Sequence, residues 1–173
     1  MPAQRRILIL GGARSGKSAY AESLMPAHGD KLYIATAHAG DAEMAARIEA
    51  HQLRRGTDWK TLEAPYDLAA TIRAHAAADT HMLVDCVTLW LSNLVLAGHE
   101  VENAVDELLD TIEKVEGTLA LVSNEVGMGI VPDNALARRF RDAAGRANQR
   151  LAAAADEVVF ITAGLPLVLK QTE

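Results

Sequence analysis

The sequence predicts an α/β fold in which an open, mostly parallel sheet carries helices on both faces. Two observations point there. Short, nearly continuous apolar runs recur along the chain, as they do in strands buried on both faces of a parallel sheet. Longer segments of helical pattern separate those runs, and strand–helix alternation of this kind implies right-handed crossovers. A third observation bounds the answer: 173 residues, half of them hydrophobic, suffice for one domain with a real core, and no linker or repeat divides it. The expected organisation is therefore a single domain over 1–173.

In chain order, the expected strands are "ILIL" (7–10), "KLYIAT" (31–36), "HMLVDCV" (81–87), "TLALVS" (118–123) and "EVVFIT" (157–162). The expected helices run from Lys17 to Met25, Asp41 to Arg55, Asp67 to Ala78, Val101 to Glu116 and Asn134 to Ala155. "LWLSNLVLAG" (89–98) is apolar enough for either a core helix or an interface, and "LAAAAD" (151–156) reads as a small-residue helix face packed on the sheet. Ligand sites are expected beyond the carboxyl ends of the strands.

Bulk properties exclude several classes. The net charge of −6 gives no electrostatic reason to expect nucleic acid or an anionic membrane as partner. The single cysteine, Cys86, excludes an internal disulfide and a multi-cysteine metal site, which fits a reducing cytoplasm. No run approaches the roughly 20 apolar residues that span a bilayer, and "MPAQRRILILGG" has too short an apolar core for a signal peptide. A cytoplasmic protein is expected. His28, His38, His75, His81 and His99 show no metal-ligand spacing.

The first strand leads into "GGARSGKS", which matches G-x-x-x-x-G-K-[ST] between a strand and a helix. Gly11 and Gly16 allow backbone conformations that let successive N–H groups converge on phosphate oxygens. The intervening Gly12, Ala13, Arg14 and Ser15 supply the rest of that backbone cradle. Lys17 brings a cation to the β- and γ-phosphates, and the Ser18 hydroxyl can ligate Mg²⁺. The helix that begins there points its positive end at the same place. The third strand ends in Asp85, where phosphate-loop proteins place an acid that holds the metal through water. Cys86 beside it reads as a small buried residue rather than a nucleophile. A nucleoside triphosphate with magnesium follows. That alone does not choose between a small-molecule kinase, a motor-like ATPase and a GTP switch. The absence of an N-K-x-D base-reading motif weakens the switch reading, and the chain's length suits an enzyme that phosphorylates small metabolites.

Two further stretches matter. In "DAEMAARIEAHQLRR" (41–55), Met44, Ile48 and His51 fall near one helical stripe, with Arg47, His51 and Arg55 in a row at spacing four. Flanking arginines disfavour the imidazolium, and a neutral imidazole can attack phosphorus. A solvated surface histidine is the other reading, and this stretch alone leaves both open. "VSNEVGMGIVPDNALARRFRDAAGRANQRLA" (122–152) opens with a polar, glycine-containing loop over Ser123, Asn124, Glu125, Gly127 and Gly129. That loop suits an acceptor substrate at the sheet edge or is a flexible connection. Arg138, Arg139 and Arg141 can clamp phosphate or form a solvated face.

Together these residues resemble one family nearly end to end, the bifunctional adenosylcobinamide kinase / adenosylcobinamide-phosphate guanylyltransferases of cobalamin biosynthesis. The resemblance is carried by "GGARSGKS", "YIATA" (33–37), "DAEMAARIEAHQLRR" with "WKTLEAP" (59–65), "LVDCVTLWLSN" (83–93), "VSNEVGMGIVP" (122–132), "RRFRDAAGRANQ" (138–149) and "AGLPLVLK" (163–170). It implies a P-loop NTPase-type (RecA-like) sheet. It implies that His51, with Lys17 as the other catalytic residue, is a covalent nucleophile taking GMP from GTP. It implies nucleotide contacts at Ala35, Thr36 and Ala37, at Gln52, Leu53, Arg54 and Arg55, and at Glu63 and Asp85. GTP or ATP and adenosylcobinamide or its phosphate are the implied substrates, with Mg²⁺ as cofactor through Ser18 and Asp85. The implied assembly is a homo-oligomer, with trimers among family members. The rival readings are a kinase-only enzyme with a solvated His51 and a non-catalytic nucleotide-binding module.

Overall fold

The computed structural model of the chain describes residues 4–37, 49, 53 and 58–172. Its centre is a seven-stranded sheet. The strands are β1 (Arg5–Gly11), β2 (Asp30–Ala35), β3 (Trp59–Glu63), β4 (Thr80–Asp85), β5 (Thr118–Asn124), β6 (Glu157–Thr162) and β7 (Leu165–Gln171). They lie in the order β3-β2-β4-β5-β1-β6-β7, parallel except for β7, which runs antiparallel to β6. The helices are α1 (Lys17–Ser23), α2 (Leu68–His75), α3 (Val87–Ala97), α4 (Val101–Ile112) and α5 (Ala135–Ala154). The expected α/β class, parallel core and five apolar strands are all present.

Period-two alternation along the strands divides the core into two layers. Leu8, Leu10, Leu32, Ile34, Val84 and Leu121 face one way, against Leu68 and Ile72 of α2, Trp90 and Leu94 of α3, Leu108 of α4 and Leu151 of α5. Ile7, Ile9, Tyr33, Leu83, Val122 and Ile161 face the other way, against Ala21 and Met25 at and just beyond α1. The "LAAAAD" stretch packs as expected, with Leu151 and Ala155 buried. "LWLSNLVLAG" is part of a core helix: Trp90, Leu91 and Leu94 are buried, and Gly98 closes α3 in a left-handed conformation with φ 71°.

Some boundaries and elements differ from the sequence reading. The strand expected over 81–87 ends at Asp85, because Cys86 caps α3 by accepting the Leu89 N–H. The other helices end one to four residues short of their expected limits. β3 and β7 were not expected, and both are edge strands, which need not be apolar on both faces. Pro166 is tolerated in β7 for the same reason. A two-residue turn joins β6 to β7, with Ala163 (φ 51°) and Gly164 (φ 77°) both left-handed, as tight hairpins require. The helix expected over 41–55 lies outside the described residues except for Glu49 and Leu53, both helical and exposed. No helix among the described residues is long and apolar enough to cross a membrane.

Candidate active site

The loop between β1 and α1 sits at the carboxyl edge of the sheet, framed by the strands on either side of β1. Gly11 pairs with Asn124 of β5 and Ile161 of β6, and its carbonyl accepts the Glu125 N–H at 3.0 Å. A Cβ on Gly11 would lie 2.4 Å from the Ile161 carbonyl oxygen, so a side chain there would displace backbone. Gly16 holds φ 101° at the start of α1, and Arg14 is also left-handed at φ 54°. The Ser15 carbonyl accepts the Gly164 N–H at 2.9 Å, tying the loop to the β6–β7 turn. Gly12, Ala13 and Arg14 form the turn itself.

Lys17 is buried and folds back over this loop, donating to the Gly12 carbonyl and, at 3.4 Å, to the Ser15 hydroxyl. Burial pulls its pKa below that of an ordinary lysine. A cation held in a pocket of backbone groups with so little hydration is well placed to exchange those contacts for phosphate oxygens. The Ser18 hydroxyl donates to Asp85 Oδ2 at 2.6 Å, joining the start of α1 to the end of β4. A hydroxyl and a carboxylate this close are the hard oxygen donors that suit Mg²⁺. Lys17 and Ser18 at the start of α1 and Asp85 at the end of β4 thus meet at one edge of the sheet.

The other expected positions are distributed as follows. Ala35 ends β2, directly between Glu63 of β3 and Asp85 of β4 in the sheet register. Glu63 is exposed at that edge. Thr36 is fully buried, and its hydroxyl donates to the Cys86 carbonyl at 2.7 Å while accepting the Cys86 N–H at 2.9 Å. Its own carbonyl accepts from Asn93 Nδ2 at 2.8 Å. The described contacts of Thr36 are therefore internal, while Ala37 follows it half-buried. Leu53 is exposed, and His51, Gln52, Arg54 and Arg55 lie outside the described residues. Cys86 is a buried thiol pushed up to about 11 by burial, which keeps it protonated and unreactive at neutral pH.

Several residues other than the expected nucleotide and metal contacts hold this edge together. The Tyr33 hydroxyl donates to Asp85 Oδ2 at 2.8 Å. Asn93 Nδ2 bridges the Thr36 and Pro65 carbonyls, the latter at 3.0 Å. Beneath the loop after β5, the Ser123 hydroxyl donates to Asn148 Oδ1 at 2.7 Å and lies 3.2 Å from the Thr88 hydroxyl. Thr88 in turn accepts the Asn124 N–H at 2.6 Å. That buried network anchors a loop whose tip exposes Met128 and Ile130. Arg138 donates to the Pro132 and Asp133 carbonyls, and Arg141 pairs with Asp142, so both have internal partners. Arg139 is exposed.

Comparison with known proteins bears on this arrangement. The family model described as "Cobinamide kinase / cobinamide phosphate guanyltransferase" matches residues 7–169. A Pseudomonas aeruginosa relative named "Bifunctional adenosylcobalamin biosynthesis protein CobP" is 49% identical over 168 residues, covering 95% of this chain and 97% of the relative. A Salmonella typhimurium relative named "Bifunctional adenosylcobalamin biosynthesis protein CobU" is 45% identical, covering 95% of this chain and 99% of the relative. Among solved structures, a protein of Pyrococcus horikoshii OT3 shares the fold with TM-score 0.58 at 9% identity, covering 100% of this chain and 89% of that one. The P4 protein of bacteriophage phi6, solved in complex with ADP, gives TM-score 0.51 at 15% identity over 93% of this chain and 52% of that one. These two structures speak to the fold alone.

Proposed function

The chain belongs to the cobinamide kinase / cobinamide phosphate guanyltransferase family, and on that premise we propose that it carries out both reactions. In the first, the hydroxyl of the aminopropanol arm of adenosylcobinamide attacks the γ-phosphorus of ATP or GTP. The hydroxyl loses its proton and the nucleoside diphosphate leaves. In the second, a ring nitrogen of His51 attacks the α-phosphorus of GTP and pyrophosphate leaves, giving a histidine–GMP phosphoramidate. A phosphate oxygen of adenosylcobinamide phosphate then attacks that phosphorus, the P–N bond breaks, and adenosylcobinamide-GDP is released with the imidazole restored.

The observation that carries the nucleotide half is the meeting of Lys17, Ser18 and Asp85 at one sheet edge, with Ser18 Oγ 2.6 Å from the Asp85 carboxylate. Ser18 directly and Asp85 through water would hold Mg²⁺, which when bound neutralises phosphate charge and aligns the reacting groups. Lys17 and the loop amides at Gly12–Gly16 bind and orient the phosphates. Ala35, Ala37 and Glu63, beside Asp85 on the same edge, border the nucleotide, with Gln52, Leu53, Arg54 and Arg55 contributing from the stretch of sequence around His51. The loop after Asn124 is adjacent to the phosphate loop through the Glu125–Gly11 hydrogen bond and offers the acceptor its place. For His51 the support is the R-I-x-x-H motif within family membership. Splitting guanylyl transfer at a phosphoramidate divides one hard step into two easier ones. The 173 residues act as one domain of a cytoplasmic enzyme that assembles as a homo-oligomer, trimeric in the arrangement the family resemblance favours.

Intact-protein mass spectrometry after incubation with GTP and Mg²⁺ tests the transferase half. The expected result is a GMP-sized mass gain in the wild type, stable to base and labile to acid, and none in His51→Ala. No gain in either protein, with GTP shown to bind, would leave a kinase-only enzyme.

A further inference from the structure

The sheet register brings one more residue to the phosphate loop. Tyr33 lies on β2 two positions before Ala35, and Ala35 stands opposite Asp85 on β4. Side chains two apart on a strand share a face, so Tyr33 and Asp85 project on the same side of the sheet, the side that α1 covers. Across that diagonal only a long side chain reaches its neighbour. Tyr33 does so, its hydroxyl donating to Asp85 Oδ2 at 2.8 Å. The Ser18 hydroxyl donates to the same oxygen at 2.6 Å. Two donors from two elements, β2 and α1, therefore converge on one carboxylate oxygen.

Rotation of an aspartate carboxylate about its last bond is broad and two-fold, so a single donor leaves the plane poorly defined. A second donor from a different direction selects Oδ2 as the anchored oxygen and leaves Oδ1 engaged by neither hydroxyl. With its proton committed to Asp85, Ser18 keeps its lone pairs for a cation. The Tyr33 ring is itself held: it is buried, and Trp59 at the start of β3 packs against it edge-on with ring centroids 6.4 Å apart. Its hydroxyl is thus delivered by a fixed body rather than a mobile chain.

We infer that Tyr33 is a positioning residue for metal–nucleotide binding, its hydroxyl fixing the Asp85 carboxylate so that Ser18 and Asp85 together hold a divalent cation. The inference rests on the phosphate loop and Asp85 being the metal–nucleotide site proposed above. Tyr33→Phe removes only the hydroxyl and keeps the ring in place, whereas Trp59→Phe perturbs the ring contact and keeps the hydroxyl.

The test is Mn²⁺ titration, followed by electron paramagnetic resonance of the free ion, into the full chain saturated with the α,β-methylene analogue of GTP. That analogue blocks attack at the α-phosphorus. Tyr33→Phe is expected to weaken Mn²⁺ binding by roughly tenfold, as loss of a hydrogen bond to a charged acceptor does. Trp59→Phe, which keeps the hydroxyl and an aromatic ring against Tyr33, is expected to weaken it by less than Tyr33→Phe does. In kinase assays, raising Mg²⁺ should restore Tyr33→Phe toward the wild-type kcat. Unchanged Mn²⁺ affinity in Tyr33→Phe would overturn the inference, as would equal weakening in both variants, which assigns the effect to ring packing. A wild type that binds the analogue but no Mn²⁺ would overturn the metal-site reading itself, and the inference with it.

Discussion

Lys17 is the residue at which stability and function pull apart. It is a buried cation, its pKa drawn down by burial against the opposing pull of Asp85, and among the described residues its hydrogen bonds go to a carbonyl and a hydroxyl rather than to a carboxylate. Burying a charge without a paired opposite charge costs free energy, and such costs are tolerated at sites where a ligand later supplies the partner. Lys17→Met keeps the length and the apolar stem and removes the charge. In thermal melts without nucleotide the variant should be no less stable than the wild type. With GTP and Mg²⁺ the nucleotide-dependent rise in Tm should disappear, and kinase kcat should fall by about a hundredfold or more. A variant that melts early without ligand would show that Lys17 is a structural residue first. The phosphate loop was legible in the sequence because its chemistry is contiguous: eight consecutive residues carry the glycines, the cation and the hydroxyl. Tyr33 was not, because its contact with Asp85 exists only through the pairing of β2 with β4, which no local spacing encodes.

At the scale of elements, the two ends of β4 do opposite jobs. Its carboxyl end presents Asp85 to the site, while His81 at its amino end is buried in the core. His81 Nδ1 accepts the Thr118 N–H at 3.4 Å, which places the ring proton on Nε2, and that atom finds no hydrogen-bond partner among the described residues. The His28 ring stands edge-on at 5.8 Å, and Asp79 and Lys31 are the charged side chains nearby. Burial, then the neighbouring His28, pushes the His81 pKa below 6.5. The unfolded chain takes up this proton near 6.5, whereas the folded chain takes it up only at lower pH. Stability is therefore fully present above that value and falls as pH drops through it, levelling once the folded form protonates too. Tm measured from pH 7.5 to 5.5 should decline in the wild type, and His81→Gln should flatten that decline. An identical slope in the variant would place the titration elsewhere. Elements also differ in how far sequence revealed them. β1, β2, β4, β5 and β6 were readable as apolar runs because neighbours cover both their faces. β3 and β7 were not, since an edge strand such as "WKTLE" carries polar residues that a period count assigns to loops. Asn93 and Asn148 escaped notice for a related reason: polar residues on helices read as outward-facing, yet both turn inward to backbone or to Ser123.

At the scale of the whole molecule, the topology makes the site and the sheet inseparable. The phosphate loop leaves β1, the strand beside the carboxyl-terminal β6–β7 hairpin, and Asp85 ends β4, with β5 lying between them. β1 is zipped to β5 over Arg5–Gly11 and to β6 over Ile7–Gly11, so strands from the two ends of the sequence are adjacent. At the amino end of that pair Arg5 binds Glu157 and Arg6 binds Asp156. A sheet closed this way offers no boundary at which half the chain could melt while the other half holds the nucleotide. Calorimetry should therefore show one transition, with an enthalpy of about 120 kcal/mol per chain if all 173 residues take part. A nucleotide–metal complex at a hundred times its Kd stabilises the folded state by about 2.7 kcal/mol, which for a chain of this size moves Tm upward by roughly 5–10 °C. Nucleotide binding and far-UV signal should be lost at the same midpoint. A second transition, or binding lost well below the melting of the sheet, would mean that the phosphate loop belongs to a separately unfolding unit despite leaving a strand paired on both sides.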